Sequence, residues 1–421
     1  VSAPTTVSAA TRRFVGLTAL RWLPVGLTTP VTVLLALSRG LSLREVGLLF
    51  TVHGLVVLAL ELPTGGLADV LGRRPVVVLG AFLHLLSCLV YATADSFGGF
   101  LAGILLLGIG RALDSGPVEA WYVDTVHQLD PSADVAPGLA KHSAADGGGL
   151  ALGAIIGGLL PAFFDGNLAA PFLLAAALNL VFIAAVLRLL HEQRPPRQGS
   201  VRAALLAGAR QVPATVGGAV RLSVTDGPLR LVLLLTAVGG AGLVACELLG
   251  PVRFAELAGG RDDGAAVYGT VLASAFAVAA FAAMAATPLR RLLRGSTRAT
   301  CAVLAILGGV ALAMLAGPDL LPVAAVAFVG YYVAHGANWP LLSAVLHARV
   351  TAAHRATAVS AMSLAMMVGG LLGNLLIPLV RPDVAFVAVG ALVAASALAC
   401  WRLPAADRQS ALTKDLINSR K

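Results

Sequence analysis

Between two long apolar runs, 43–65 and 75–94, stands the stretch Gly65-Gly66-Leu67-Ala68-Asp69-Val70-Leu71-Gly72-Arg73-Arg74. Gly65 has no Cβ and lets another helix approach closely, and Gly72 permits a tight reversal of the chain. Asp69 is an acid at the edge of an apolar layer, with Arg73 and Arg74 in reach to pair with it. A polar turn placed this way predicts two helices that cross a lipid layer and reverse at its surface.

The rest of the chain agrees. Of its 421 residues 58% are hydrophobic and 12% charged, and the mean hydropathy is +0.88. A water-soluble chain carries about 25% charged residues to cover its surface, which excludes a soluble enzyme. The lack of a short repeat excludes an elastomeric low-complexity chain. Lipid leaves only helices or closed barrels able to satisfy their backbone groups, and these blocks are far too long for barrel strands.

Apolar runs of about 20 residues predict twelve spans, at 14–37, 43–65, 75–94, 97–123, 138–162, 168–190, 229–256, 265–287, 299–316, 320–346, 356–380 and 384–403. A polar, proline-containing and arginine-dotted stretch from Arg188 to Arg230 parts the first six from the last six. The expected fold is an all-α integral membrane protein: an N-terminal six-helix bundle (1–190), a cytoplasmic linker (191–228), a C-terminal six-helix bundle (229–403) and a cytoplasmic tail (404–421). Within the linker, 201–222 has an apolar stripe with arginines at intervals, compatible with an amphipathic helix on the inner leaflet.

The net charge of +9 sits in the gaps between apolar blocks, the footprint of membrane topology rather than of a nucleic-acid-binding face. Counted by alternate gaps, 23 basic residues fall on one side and 5 on the other. That bias predicts a plasma-membrane protein with both termini and the linker cytoplasmic. The four cysteines, Cys88, Cys246, Cys301 and Cys400, lie inside apolar runs, with neither a disulfide framework nor metal spacing. There is no phosphate-binding Gly-x-x-x-x-Gly-Lys loop, nucleophile elbow or paired-histidine zinc motif, so no cofactor, metal or catalytic chemistry is expected.

The stretch from Gly65 to Arg74 resembles the signature loop of the major facilitator superfamily, G-x-L-A-D-x-x-G-R-R/K, which that family places between spans two and three on the cytoplasmic side. In the family the acid equivalent to Asp69 ties down the inward gate, meeting a helix N-terminus of the other half and an arginine of span four. The resemblance therefore implies a cytoplasmic gate built from Gly65, Asp69, Gly72, Arg73 and Arg74. The matching gap in the second half, Pro288-Leu289-Arg290-Arg291-Leu292-Leu293-Arg294-Gly295, keeps the bases and a glycine but lacks the acid, as a diverged internal repeat would.

Ionisable side chains at bilayer depth are costly, so each is a functional candidate. Span four holds Arg111, Asp114 and Glu119, with Asp124 just past its end. Carried through as one helix at about 100° per residue, it places Ser115, Glu119 and Tyr122 within a quarter turn of Arg111, with Asp114 to the other side. The segment partly resembles the family's span-four motif, whose arginine is implicated in proton coupling; here the glycine comes one position late. A structural ion pair of Arg111 with Asp114 is the alternative.

Span five carries Asp146 and then Gly149, Gly153 and Gly157, the spacing that lets two helices touch backbone to backbone. It resembles the antiporter motif of drug exporters, G-x-x-x-G-P-x-x-G-G, with Ala154 in the place of the proline, and so points to export; ordinary close packing is the alternative. Glu61 shares a face of span two with His53, and Arg21 enters span one near the depth of Asp114, Glu119 and Asp146.

The expected coupling residues are Arg111, Asp114, Glu119, Asp146 and Glu61. Expected substrate contacts are Arg21, Glu247 of span seven, and Tyr331, His335 and Asn338 on one face of span ten. Together with the resemblance, these residues imply a secondary active transporter working by alternating access. The expected activity is proton-coupled export of a small, partly apolar organic compound such as an antibiotic, drug or toxic metabolite. A small molecule, protons and the lipid bilayer are its partners, and a monomer is expected. The alternatives are proton-linked uptake of a sugar or organic anion, kept open by Arg21 and Arg111, and a non-transporting receptor or scaffold.

Overall fold

The computed structural model describes residues 3–65, 67–114, 116–191, 200–350 and 355–403, and every regular element among them is a helix. Gly66, the expected tail 404–421 and the side chain of Asp69 lie outside the described residues. The first part of the chain runs through α1 (Val7–Ser38), α2 (Leu43–Gly65), the short α3 (Leu67–Leu71), α4 (Arg73–Thr93), α5 (Phe97–Leu113), α6 (Pro117–Leu129), α7 (Ala136–Leu159) and α8 (Ala170–Leu189). The linker contributes α9 (Val201–Thr225). The remainder forms α10 (Gly227–Val244), α11 (Gly250–Ala258), α12 (Arg261–Leu292), α13 (Thr297–Met314), α14 (Leu321–Arg349), α15 (Arg355–Leu376) and α16 (Pro382–Cys400).

Helix ends leave orphan N–H groups that need acceptors. Thr6 Oγ1 accepts from the Ala9 amide at 3.2 Å to open α1, and Ser96, Asp226 and Ser296 cap α5, α10 and α13 in the same way. Inside the spans, several hydroxyls return their hydrogens to their own helix: Thr18 donates to the Phe14 carbonyl and Thr236 to that of Val232.

Among the described residues ten helices are long and apolar enough to cross a membrane, or eleven if α12, bent by 47° between Arg261–Ala279 and Phe281–Leu292, is one span. Twelve were expected. The helix outside that set, α14, has 29 residues, but Tyr331, Tyr332, His335 and Asn338 dilute its hydropathy.

Among the described residues, two of the expected spans are interrupted well inside their length. Span four breaks after Leu113: Gly116 is left-handed at φ 93° and Pro117 starts α6 afresh. Proline offers no N–H to the preceding turn and disfavours helical backbone before it, so the helical wheel drawn from Arg111 to Tyr122 does not hold. Span seven passes through a π-helical turn, Ala245–Leu249, between α10 and α11.

The contacts divide the chain into two compact units, Val1–Ala214 with Pro251–Ala277, and Thr215–Gly250 with Val278–Lys421. Pro251–Ala277, expected with the second half, groups with the first. Within the first unit α1 and α7 cross with backbones in contact. A Cβ on Gly149 would lie 2.9 Å from the Ala19 carbonyl oxygen, and on Gly153 or Gly157 it would overlap the carbonyls of Leu23 and Leu27. With lipid as apolar as leucine, such close packing is what holds membrane helices together. Gly158 meets Ala265 and Gly269 of α12, which is why that segment groups with the first unit.

In the second unit, Gly369 of α15 sits against Ala237 of α10, and Gly309 of α13 against Gly390 of α16. The pairings of α1 with α7 and of α4 with α8 thus recur as α10 with α15 and α13 with α16, the mark of a repeat. The linker helix α9 also forms, and its Leu205 packs on Leu67, Val76 and Leu113.

Candidate functional site

The turn that opens α4 is made by Gly72 at φ 90°, a conformation that costs any side-chain-bearing residue. It delivers two arginines to neighbouring helices. Arg73 Nη2 meets Asp124 Oδ2 of α6 at 2.5 Å, and Arg74 donates to the Leu187 carbonyl near the end of α8. The bases of the loop therefore tie α4 to the ends of spans four and six.

Deeper in the first unit, Arg21 of α1 is ion-paired with Asp114 through Nε, and its Nη2 donates to the Asp114 carbonyl at 3.0 Å. The pair is buried, with side chains 10% and 4% exposed. The broken helix explains it. Asp114 caps α5 and, freed from a continuous helix, turns its carboxylate to α1. Asp114 is thus held by Arg21, whereas Arg111 lies with its guanidinium carbon 4.8 Å from the centroid of the Trp22 ring. Arg21 lies 5.1 Å from the same ring. Glu61 is exposed at the end of α2.

Glu119 opens α6, where its partner is His142 of α7: Nε2 lies 2.9 Å from Glu119 Oε1. The other ring nitrogen, Nδ1, lies 2.7 Å from Thr18 Oγ1 of α1. Phe14 stacks on His142 with ring centroids 4.6 Å apart and on Tyr122 at 4.3 Å. The imidazole is thereby fixed in plane and bridged at both nitrogens, while Glu119 is half exposed, at 49%. Asp146, one turn along from His142, is partly buried and its Oδ1 has no partner among the described residues.

His142 was legible only as a neighbour of Lys141 at the polar start of span five. The signal that could have singled it out is its i, i+4 spacing to Asp146, which places both on one face. His53 and His84 also turn inward: His84 is 8% exposed, and Gly110 makes room for its ring, since a Cβ there would lie 2.6 Å from His84 Cδ2.

In the second unit the residues expected to contact substrate divide. The Tyr331 hydroxyl donates to the Gly239 carbonyl at 2.9 Å, and the residue is 2% exposed, so this side chain joins α14 to α10. His335 stacks beside Tyr331 with centroids 6.0 Å apart, and Asn338 Oδ1 is buried without a partner among the described residues. Glu247, in the π-helical turn, is exposed and receives a long hydrogen bond of 3.5 Å from Tyr332. Single π-turns inside α-helices are frequent at functional positions.

The curated tetracycline resistance protein, class E, of Escherichia coli is 31% identical over 156 residues, 37% of this chain and 36% of that protein. The methyl viologen resistance protein SmvA of Salmonella typhimurium is 29% identical over 193 residues, 45% of this chain and 34% of the relative. The matched stretches thus span about a third of these relatives' length. The backbone is similar to the crystal structure of the nucleoside transporter NupG, with a TM-score of 0.72 at 12% identity, covering 94% of this chain and 98% of that one; the likeness is one of fold. The Major Facilitator Superfamily model matches residues 14–374, and with a multi-pass helical body, the loop at Gly72 and relatives that are transporters rather than enzymes, the chain belongs to the Major Facilitator Superfamily.

Proposed function

We propose that the protein is a secondary transporter that exports small, partly apolar organic compounds in exchange for protons. The observation that carries this is the chain Thr18, His142, Glu119, in which a buried imidazole links a hydroxyl of α1 to a carboxylate of α6. An imidazole and a carboxylate in hydrogen-bond contact can hold one proton between them and release it when their separation or exposure changes. Asp146, one turn away with an oxygen that has no partner among the described residues, extends the path. Arg73 with Asp124, at the Gly72 turn, ties helices together where the family's gate is expected.

The resistance proteins among the relatives support export, and the 23 to 5 distribution of basic residues supports a plasma-membrane orientation with both termini and the 191–228 linker cytoplasmic. The two six-helix halves, 1–190 and 229–403, would alternate access to the site. His335, Asn338 and Glu247 are the contacts proposed for the substrate in the second unit, where an aromatic and polar surface suits a ring-bearing compound.

The test is transport in inverted membrane vesicles carrying a preset pH gradient, with a dye panel as substrate. Gradient-driven accumulation that disappears in Glu119→Gln and His142→Gln is expected. Accumulation that survives in both variants, or that runs only in right-side-out vesicles, overturns the proposal.

A further inference from the structure

Inside the first unit, α1, α2, α4 and α5 line a partly open cavity of about 130 Å³ bordered by Arg21, Trp22, His53, His84, Arg111 and Asp114. Its polar atoms are not satisfied by one another. Arg21 is committed to Asp114. Trp22 Nε1, His53 Nδ1, His84 Nε2 and Asp114 Oδ1 are buried and have no hydrogen-bond partner among the described residues. Arg111 makes no hydrogen bond or ion pair among them either; its recorded contact is the Trp22 ring. Buried polar groups are rarely left unpaired in a folded protein, so four orphans and a guanidinium around one cavity describe a place shaped for something else.

The donor inventory says what. Trp22 Nε1 can only donate and Arg111 presents a planar fork of N–H groups, whereas each imidazole spends its N–H on a backbone carbonyl, His53 on Ile104 and His84 on Leu107, so that the orphan nitrogen of the neutral ring accepts. Against them stand three orphan acceptors, Asp114 Oδ1, His53 Nδ1 and His84 Nε2. A ligand that satisfies this set needs an oxyanion for Arg111 and Trp22, plus hydrogens to give to Asp114 and the imidazole nitrogens. Arg111 supplies the charge complement in the planar geometry that carboxylates favour. Asp114, Glu61 and Asp146 are the carboxylates whose field reaches Arg111, but Asp114 is already neutralised by Arg21.

We propose that this cavity is a subsite for the head of an organic acid, a carboxylate bearing a hydroxyl or ammonium donor on the adjacent carbon. The carboxylate sits between Arg111 and Trp22 Nε1, and the neighbouring donor bonds Asp114 Oδ1 and the orphan imidazole nitrogens. The volume admits such a head and little more, since a water alone takes about 30 Å³; the body of the substrate must lie outside. Gly80, Gly108 and Gly110 keep the walls thin: a Cβ on Gly110 would press on His84, and one on Gly108 on Val56 and His53.

The proposal narrows the substrate class of the exporter proposed above and so rests on that reading, but its test is equilibrium binding, which needs neither proton coupling nor transport. Full-length protein in detergent is titrated calorimetrically with glycolate, glycine, acetate and the uncharged acetamide. Glycolate or glycine is expected to bind at least about tenfold more tightly than acetate, and acetate more tightly than acetamide, which bears no charge. Arg111→Gln is expected to weaken glycolate by about tenfold or more. Trp22→Phe, which keeps the ring and removes one donor, should weaken it by a smaller factor and guards against misfolding of the arginine variant.

Arg12→Gln, far from the cavity, should bind as the wild type does. Acetamide equal to glycolate would mean a water-filled polar cavity and overturns the proposal, as does glycolate binding unchanged in both Arg111→Gln and Trp22→Phe. If binding holds while the vesicle assay fails, the export reading falls and the subsite stands; the reverse result removes the subsite alone.

Discussion

His142 Nε2 lies 2.9 Å from Glu119 Oε1, joining the fifth span to the segment that restarts the fourth after Gly116 and Pro117. The contact depends on the break: a continuous helix would have carried Glu119 on the face of Arg111. With the break, the acid goes to α7 and the base that remains on α5 is left beside Trp22.

If that pair moves the proton, Glu119→Gln should abolish proton release on addition of substrate to proteoliposomes while substrate exchange without a gradient continues. His142→Gln should act in the same direction. A pH-sensitive dye trapped in the lumen measures it, and undiminished proton movement in either variant removes that residue from the path.

Arg21 and Asp114 form a buried pair, and removing one partner leaves an uncompensated charge. Arg21→Gln is expected to destabilise the protein by about 3–5 kcal/mol. Asp114→Asn alone should also be costly, whereas the double variant Arg21→Gln with Asp114→Asn should recover part of the loss. Unfolding in detergent measures all three, and strictly additive losses would show that the two side chains are not coupled.

The crossing of α1 and α7 makes a prediction about single methyl groups. Gly153→Ala would drive a Cβ into the Leu23 carbonyl and Gly26, and overpacking of this kind costs about 1–3 kcal/mol. Gly147, six residues away on the same helix, has nothing within 4 Å of such a Cβ. Gly147→Ala should be neutral or stabilising by up to about 1 kcal/mol. Equal melting temperatures for the two variants would count against backbone contact at this crossing.

Arg73 and Asp124 pair at 2.5 Å, but Asp124 is 54% exposed, and exposed ion pairs are worth about 0–1 kcal/mol. Asp124→Asn should therefore leave unfolding almost unchanged. If the pair belongs to the gate, the same variant should alter the rate of transport in vesicles; an unaltered rate would leave the contact a surface tie.

Much of this architecture can be read from residue order. Long apolar runs, the Gly-rich face of span five and the arginine-bearing turn at Gly72 are local patterns, and lipid permits few structures for them. The linker helix α9 follows from the stripe between 201 and 222 in the same way. The Gly116-Pro117 pair was also present, but a span-length apolar run made continuity the simpler inference, and the resulting wheel set Glu119 beside Arg111. His142 hid at the polar end of its span, where a histidine reads as an interface residue. Tyr331 looked like a substrate contact because it is aromatic and deep, yet its hydroxyl closes on the Gly239 carbonyl of another helix.

By itself, then, the amino-acid sequence determines that the chain crosses a membrane many times as helices, where it turns, and which face of the fifth helix is bare, because each of these depends on neighbours within a few turns of one helix and on the solvent around it. Only the tertiary structure decides which charges meet. Arg21 and Asp114 are 93 residues apart, and Thr18 and His142 are 124 apart. Several acids stand at similar depth, and a base takes the one whose helix comes close enough at the right rotation. That choice is set by where α1 touches α7 backbone to backbone and where α5 stops.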